Sequence, residues 1–164
     1  MTSTDAATVT TVVAVDPATA FEVFTEEVDA WWKHGPRYRA GGGRKGTMRF
    51  EPGVGGRLLE VFDEAEGESF EQGRVSVWKP GEQLSFDMGG RDLGPGESTQ
   101  VDIRFEQVEE GTRVTVVHSG WDAFEDGHPV RHGLVGEAFQ SMMGLWWADL
   151  LVAMRRHAAA GDRA

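Results

Sequence analysis

One stretch near the C-terminal end constrains the fold of this 164-residue chain more than any other. Between Phe139 and Met154, large apolar side chains recur at steps of three and four, which predicts one long helix with an apolar face. Leu145, Trp147 and Leu151 widen that face until little is left for water. A helix this apolar needs walls on several sides, and a curved sheet is the wall expected in a chain of this size.

Most of the chain before this helix alternates between apolar and polar residues with a period of two, as strands with one buried face do. Asp16 and Pro17 carry the signals of a helix start, and a second short helical piece is expected near Val28. Short connections between consecutive strands favour an antiparallel meander, so the fold class predicted is α+β. We expect strands over residues 8–15, 47–51, 57–62, 69–78, 83–88, 98–107 and 112–119.

Composition narrows the class of protein further. The 27 acidic and 16 basic residues give a formal net charge of -11, which would repel a phosphate backbone, so no nucleic-acid partner is expected. The chain has no cysteine, which excludes disulfides and thiolate nucleophiles. No secretory signal and no apolar run long enough to span a membrane is visible, so we expect a single cytoplasmic domain over residues 1–164.

Several segments together resemble a known superfamily. They are Asp16–Phe24 with the Trp31–Trp32 pair, Glu51–Gly56, Val75–Pro80 with Leu84–Phe86, Thr115–Trp121 and the closing helix. In order and spacing they resemble the START/birch-pollen-allergen-like (SRPBCC, helix-grip) superfamily. Within it they resemble the branch named as homologues of the activator of the heat-shock-protein-90 ATPase. The resemblance implies a seven-stranded curved antiparallel sheet around the long C-terminal helix, with a cavity between them.

The resemblance does not fix a reaction, because members include lipid carriers, hormone binders and cyclases. From the inward-facing positions we expect a pocket for a small apolar or aromatic molecule, with no cofactor. The alternative for each residue alone is that it simply fills the core. The candidate ligand-binding residues are Phe50, Val77, Phe86, Met88, Phe105, His118, Trp121, Met143, Trp146 and Leu150.

His118 is the sharpest polar candidate, because it stands where the alternation places an apolar side chain. An imidazole there could anchor a ligand hydroxyl or carboxylate, or act as the general base of an enzyme. The alternative is a structural histidine hydrogen-bonded to a neighbouring carbonyl. No partner carboxylate lies at a diagnostic spacing, so the sequence defines no catalytic dyad.

Two further sets of polar side chains are not expected to form a functional site. His128 and His132 are four residues apart, but Pro129 lies between them and no third ligand is evident, so no metal site is expected. The basic side chains around Gly41–Gly43 could dock an anionic headgroup, but a solvated loop is the favoured interpretation. These side chains are Arg37, Arg39, Arg44 and Lys45.

Three functions follow from these features. A cofactor-free binding protein for a small apolar molecule is the first. A cofactor-independent enzyme of the polyketide cyclase, dehydratase or hydrolase type, using the same cavity and His118, is the second. A chaperone-activator-like interaction module is the third. Of the paired Trp31 and Trp32, we expect one ring in the core and the other at the pocket rim or surface. The sequence allows a homodimer if either ring, or part of the long helix, is left exposed.

Overall fold

Seven strands in the described part of the chain pair into one sheet with the order β1-β7-β6-β5-β4-β3-β2. The computed structural model describes residues 6–35, 37–39, 44–89, 96–125, 127–129, 132–134 and 136–160. The strands are β1 (Ala6–Val13), β2 (Thr47–Phe50), β3 (Arg57–Asp63), β4 (Glu68–Lys79), β5 (Gln83–Met88), β6 (Thr99–Val108) and β7 (Gly111–Ser119). The helices are α1 (Pro17–Thr25), α2 (Val28–Trp31) and α3 (Gly136–Ala159), and a short 3-10 turn covers Trp121–Ala123.

All neighbouring strands run antiparallel, which confirms the predicted meander and the α+β class. The sheet curls into a half-barrel around α3, as the helix-grip resemblance implied. The strand bounds agree with the expected ones to within two residues. The first strand ends earlier than expected, at Val13, because its neighbour β7 begins at Gly111; Val15 O accepts the side-chain hydroxyl of Thr112 in place of a ladder hydrogen bond.

The start of α1 follows the signals in the sequence. Asp16 accepts a hydrogen bond from the backbone N–H of Thr19 at 2.8 Å, and Pro17 occupies the first turn. The inward face of the helix puts the Phe21 ring 5.1 Å from Trp78 and 5.3 Å from Phe105. Helix α1 therefore closes one end of the half-barrel.

Both Trp31 and Trp32 are buried, with 3% and 1% of their surfaces exposed, so the expected split between core and rim is wrong. Each indole finds a backbone acceptor inside the fold. Trp31 Nε1 donates to Val23 O at 2.8 Å, and Trp32 Nε1 donates to Tyr38 O at 3.0 Å. Both N–H groups have hydrogen-bond acceptors inside the fold, so the two rings can be buried. Neither ring is exposed to a second copy of the chain.

Helix α3 is 24 residues long, about 36 Å, and runs beside the edge strand β1. Gln140 Nε2 donates to the free edge of β1 at Ala6 O, 2.7 Å away. The helix is more amphipathic than expected, because a half-barrel grips it from one side only. Leu145 is 65% exposed, which corrects the expectation that little of the surface is left for water. None of the described helices is long and apolar enough to cross a membrane.

Strand β4 carries a bulge between Val75 and Val77, which reverses the alternation beyond it. Val77 consequently pairs with Ser85 and lies on the convex face, although the sequence pattern placed it in the pocket. Trp78 takes the inward position and packs against Phe21. A single extra residue is enough to move Val77 away from the predicted site.

Arg39 is 4% exposed, so it does not belong to the solvated group of charges expected around the glycine-rich loop. Its guanidinium donates to the carbonyl oxygens of Lys33, Gly46 and Trp32 and to the Asp29 carboxylate. Asp29 Oδ1 also accepts the backbone N–H of Met48 at 2.9 Å. Arg39 thus ties α2, the following loop and the edge strand β2 together. Arg37, Arg44 and Lys45 are exposed, as expected.

We expect Arg39→Ala to lower the free energy of unfolding by about 3 kcal/mol, because it removes a buried charge from several carbonyl acceptors and leaves Asp29 without its ion-pair partner. Urea denaturation monitored by circular dichroism measures this. Arg37→Ala is the matched control, since that side chain is exposed and should change stability little. Equal losses in the two variants would contradict the buried role of Arg39.

Candidate functional site

One end of the sheet carries a row of buried polar side chains, which we call the polar row. Strand pairing brings them together: Met88 lies opposite Gly73 on one side and Thr99 on the other, and His118 lies opposite Val101. Between 0% and 6% of each residue is exposed. Buried polar groups are retained in a fold where they make specific hydrogen bonds. The members of the polar row are Glu60 on β3, Gln72 on β4, Thr99 on β6 and His118 on β7.

His118 is hydrogen-bonded through both ring nitrogens. Trp147 Nε1 donates to Nδ1 at 3.0 Å, and Nε2 lies 2.6 Å from Thr99 Oγ1. An indole N–H can only donate, so Nδ1 is the acceptor, and the proton of the neutral ring sits on Nε2 and points to Thr99. The Thr99 hydroxyl in turn donates to Met88 O at 3.3 Å. The imidazole therefore connects helix α3 to strands β5 and β6.

Burial lowers the pKa of His118 from its ordinary value to about 3, because the charged ring would lose its hydration inside the protein. The surroundings are aromatic: the Trp121 ring lies 4.4 Å from the imidazole, and Trp147 lies 6.0 Å away. The ring is neutral at physiological pH. Accepting a proton at Nδ1 would break the bond from Trp147, so this geometry favours a positioning role over proton transfer.

The core divides into two apolar clusters that meet at His118. The larger fills the end under α1 and α2, together with the C-terminal half of α3. The smaller consists of Ala7, Trp121 and Phe139, with Leu134, Met142 and Met143 packed against it. Met143 is half-buried, although Phe139 and Trp147, one turn away on the same face of the helix, are fully buried. Solvent therefore reaches the sheet-facing side of α3 at Met143, beside the smaller cluster.

The candidate ligand-binding residues divide between these regions. Phe50, Phe86, Met88, Phe105 and Leu150 lie in the larger cluster, with Trp146 packed against it. Phe50 and Phe105 lie 6.3 and 6.1 Å from Phe24, so they contact the end closed by α1. Trp121 and Met143 lie in the smaller cluster, with His118 between the two. Val77 stands apart on the convex face.

Sequence reasoning missed three members of the polar row. Glu60 lies opposite Met48, a core residue, and so faces inward. Because it stands two residues after the buried Leu58, the alternation of the strand could have predicted this from the sequence. The loop backbone packs directly on its side chain, since a Cβ on Gly46 would come within 2.5 Å of Glu60 Cγ. The inward position of Thr99 could have been predicted from the alternation of its strand in the same way. Gln72 sits in a register shift between β3 and β4, and no sequence pattern marks that shift.

The two histidines considered as metal ligands are placed differently. His128 Nε2 lies 3.2 Å from both carboxylate oxygens of Glu97, and its ring lies 4.8 Å from Phe124. His132 adopts a positive φ of 50° in the same loop. Across the residues the structure describes, no three His, Cys, Asp or Glu side chains form a group suited to a metal ion.

Comparison with known proteins gives one family and several structures. The sequence model of the family described as Activator of Hsp90 ATPase homolog 1-like protein matches residues 14–144. The search of curated proteins gives no match. The protein MLL2253 from Mesorhizobium loti has a TM-score of 0.65 at 15% identity, covering 96% of this chain and 99% of that one.

Two further structures resemble the fold. The Aha1 dimer from Colwellia psychrerythraea has a TM-score of 0.62 at 17% identity, over 96% of this chain and 98% of that one. DynU16, from the dynemicin biosynthetic locus, has a TM-score of 0.63 at 20% identity. The match covers 96% of this chain and 48% of DynU16. At such identities these likenesses establish the fold alone.

The buried His118 predicts a loss of stability in mild acid. Its pKa is about 3 in the folded chain against 6.5 ordinarily, so only the unfolded state takes up a proton as the pH falls below about 6.5. His118 alone should cost about 2 kcal/mol of unfolding free energy between pH 7 and pH 5. Urea denaturation at several pH values measures the slope.

His118→Asn is the informative variant, because its amide can still accept the Trp147 N–H but does not titrate. We expect it to lose this part of the slope, while His34→Ala, at an exposed histidine, keeps the wild-type slope. An unchanged slope in His118→Asn would show that the imidazole is not buried and neutral.

Proposed function

Since the chain belongs to the family described as Activator of Hsp90 ATPase homolog 1-like protein, we propose that it binds a small apolar or aromatic molecule between the concave face of the sheet and α3. The ligand enters beside Met143 and lies against Trp121 and Phe139, with its polar end toward the polar row. No cofactor takes part in this proposal. The cytoplasmic location expected from the sequence is retained with it.

The incomplete burial of Met143 is the observation that carries the proposal. A residue between Phe139 and Trp147 on the sheet-facing side of α3 would be fully buried if the interior were closed there. The neighbouring Met142 is also half-buried. Methionine is unbranched and polarizable, so a pair of them suits a surface that adapts to apolar ligands of different shape.

Thr99 supports a preference for ligands that carry a hydroxyl group. Its oxygen accepts from His118 Nε2 and its proton goes to Met88 O. A hydroxyl has two acceptor positions and one donor, so one acceptor position of Thr99 is left. A ligand hydroxyl can donate to it, with the imidazole holding the threonine in place. This is the role we propose for His118 in binding.

The enzyme alternative has less support. A cyclase, dehydratase or hydrolase of the kind considered from the sequence would use His118 as acid or base. Its pKa of about 3 and its bond from Trp147 disfavour proton transfer near neutral pH. The chaperone-activator alternative rests on the family description, and no contact of the described residues adds to it.

A homodimer is a second, subordinate proposal. Two observations support it: the similar Aha1 protein from Colwellia psychrerythraea is a dimer, and Leu145 on α3 is exposed in this chain. Analytical ultracentrifugation over a range of concentrations tests it. A monomer at every concentration would contradict it and leave the binding proposal untouched.

A panel of fatty acids, flavonoids and polyketide-like aromatics should raise the melting temperature and quench tryptophan emission. A ligand at one hundred times its Kd stabilises the fold by about 2.7 kcal/mol, a shift of roughly 5–10 °C for a chain of this length. Within each class, the compound with a hydroxyl group should give the larger shift. Differential scanning fluorimetry measures these shifts.

Met143→Trp should abolish the shift, because the larger ring fills the opening next to Trp121. Leu145→Trp is the matched control: it adds the same ring to the same helix on the exposed face and should keep the shift. The proposal fails if no compound stabilises the wild type, or if Met143→Trp binds as well as Leu145→Trp.

A further inference from the structure

Tyr38 is the only tyrosine of the chain, and its side chain lies in a defined seat on α3. The phenol ring stacks on Trp146, with ring centroids 5.8 Å apart and planes inclined by 27°. The hydroxyl donates to Asp149 Oδ2 at 2.9 Å. Lys33 Nζ lies 5.0 Å from the ring centroid, and the Arg37 guanidinium lies 5.8 Å from it. We call this group of contacts the Tyr38 seat.

The platform of the seat is rigid. Trp146 Nε1 donates to Arg37 O at 2.8 Å, which fixes the plane of the indole. The same ring packs nearly edge-on against Trp32 at 5.9 Å and Trp147 at 5.2 Å. Both of those tryptophans are buried and hydrogen-bonded themselves. Trp146 therefore keeps its position whether or not a ring lies on it.

Three features of the seat match the three chemical properties of a phenol. The flat indole accepts a stacked aromatic ring. The carboxylate of Asp149 accepts the hydroxyl proton in a charge-assisted hydrogen bond, which a hydrocarbon ring cannot donate. The ammonium of Lys33 and the guanidinium of Arg37 are attracted to the electron-rich ring face. A ring without a hydroxyl satisfies only two of these contacts.

We propose that the Tyr38 seat is a binding site for external phenolic compounds, occupied in the free protein by the side chain of Tyr38. A phenol takes its place on Trp146 and Asp149 when that side chain swings out. This site is separate from the interior one, because it lies on the outer edge of α3. Its existence does not depend on ligand binding beside Met143.

The Tyr38 side chain can leave without disturbing the backbone. The ring is only half-buried, and its hydroxyl is held through a single exposed carboxylate. The backbone is held separately, by Trp32 Nε1 on Tyr38 O and by the buried guanidinium of Arg39. Rotation of the side chain therefore breaks the stack and one hydrogen bond, while the chain stays in place.

The test compares p-cresol, a copy of the tyrosine side chain, with toluene, which lacks the hydroxyl. Tyr38→Ala should bind p-cresol about tenfold or more tightly than the wild type, because the competing side chain is gone. In that variant p-cresol should bind about tenfold more tightly than toluene. Adding Asp149→Asn should remove most of this preference. Titration calorimetry gives the affinities, and circular dichroism confirms that the variants are folded.

Two controls locate the binding. Tyr38→Phe keeps a ring in the seat but removes its hydrogen bond to Asp149, so it should bind p-cresol more tightly than the wild type and less tightly than Tyr38→Ala. Met143→Trp closes the proposed interior site and should leave the Tyr38→Ala result unchanged, so failure of either site is seen separately.

The wild type gives a second measurement that does not depend on how the alanine variant folds. Its Trp146 indole N–H resonance, identified by its loss in Trp146→Phe, should shift saturably as p-cresol is added. The proposal is overturned if this resonance does not move up to the solubility limit of p-cresol. It is also overturned if Tyr38→Ala binds p-cresol no better than the wild type, or if Asp149→Asn leaves the preference over toluene unchanged.

Discussion

The hydrogen bond from Trp147 to His118 connects the long helix to the inside of the sheet. The indole N–H of Trp147 and the imidazole of His118 are both buried, so neither group has water as an alternative partner. The helix packs against the edge strand β1, but this bond reaches β7, inside the sheet. It therefore fixes both the rotation of α3 about its axis and its height above the concave face.

The polar contacts of this region depend on one another in sequence. Because Nδ1 accepts from Trp147, the imidazole proton lies on Nε2 and faces Thr99, whose own proton then turns to Met88 O. The orientation of each group in this series therefore leaves only one hydrogen-bonding orientation for the next group. The oriented Thr99 hydroxyl thus lies beside the aromatic rings around His118, and in the proposed binding site it would give specificity to a surface that apolar contacts alone would leave tolerant.

Regular alternation of apolar and polar residues allowed most of the strands to be predicted from the sequence. Strands β2, β6 and β7 alternate regularly between buried and more exposed positions over most of their length, so their bounds and inward residues followed from a period of two. Val77 was misplaced because a bulge shifts the parity without leaving a mark in composition. Arg39 was misread for a different reason: a charge is buried when backbone carbonyls surround it, and those carbonyls lie six or seven residues away on either side, where only the fold of the loop brings them together.

The tryptophans show the same limit. The sequence predicted one ring of Trp31 and Trp32 in the core and the other at the pocket rim or surface, but the acceptors that allow both to be buried lie at Val23 and Tyr38. Those partners depend on how α1 and the loop after α2 fold back. Of the polar row, Glu60 and Thr99 were readable from parity, whereas Gln72 required the register of β3 against β4. Local pattern thus predicts which side of an element is buried, and tertiary contacts decide which polar groups go with it.

The proposed interior site and the Tyr38 seat share one wall. Trp147 presents its N–H to His118 on the inner side and packs edge-on against Trp146, which carries the Tyr38 ring on the outer side. The contact that orients the interior hydroxyl also positions the outer platform. Rings in direct contact transmit a displacement, because one cannot turn without moving its neighbour. A change at His118 that lets Trp147 rotate would therefore alter the stacking surface under Tyr38 as well as the acceptor offered by Thr99.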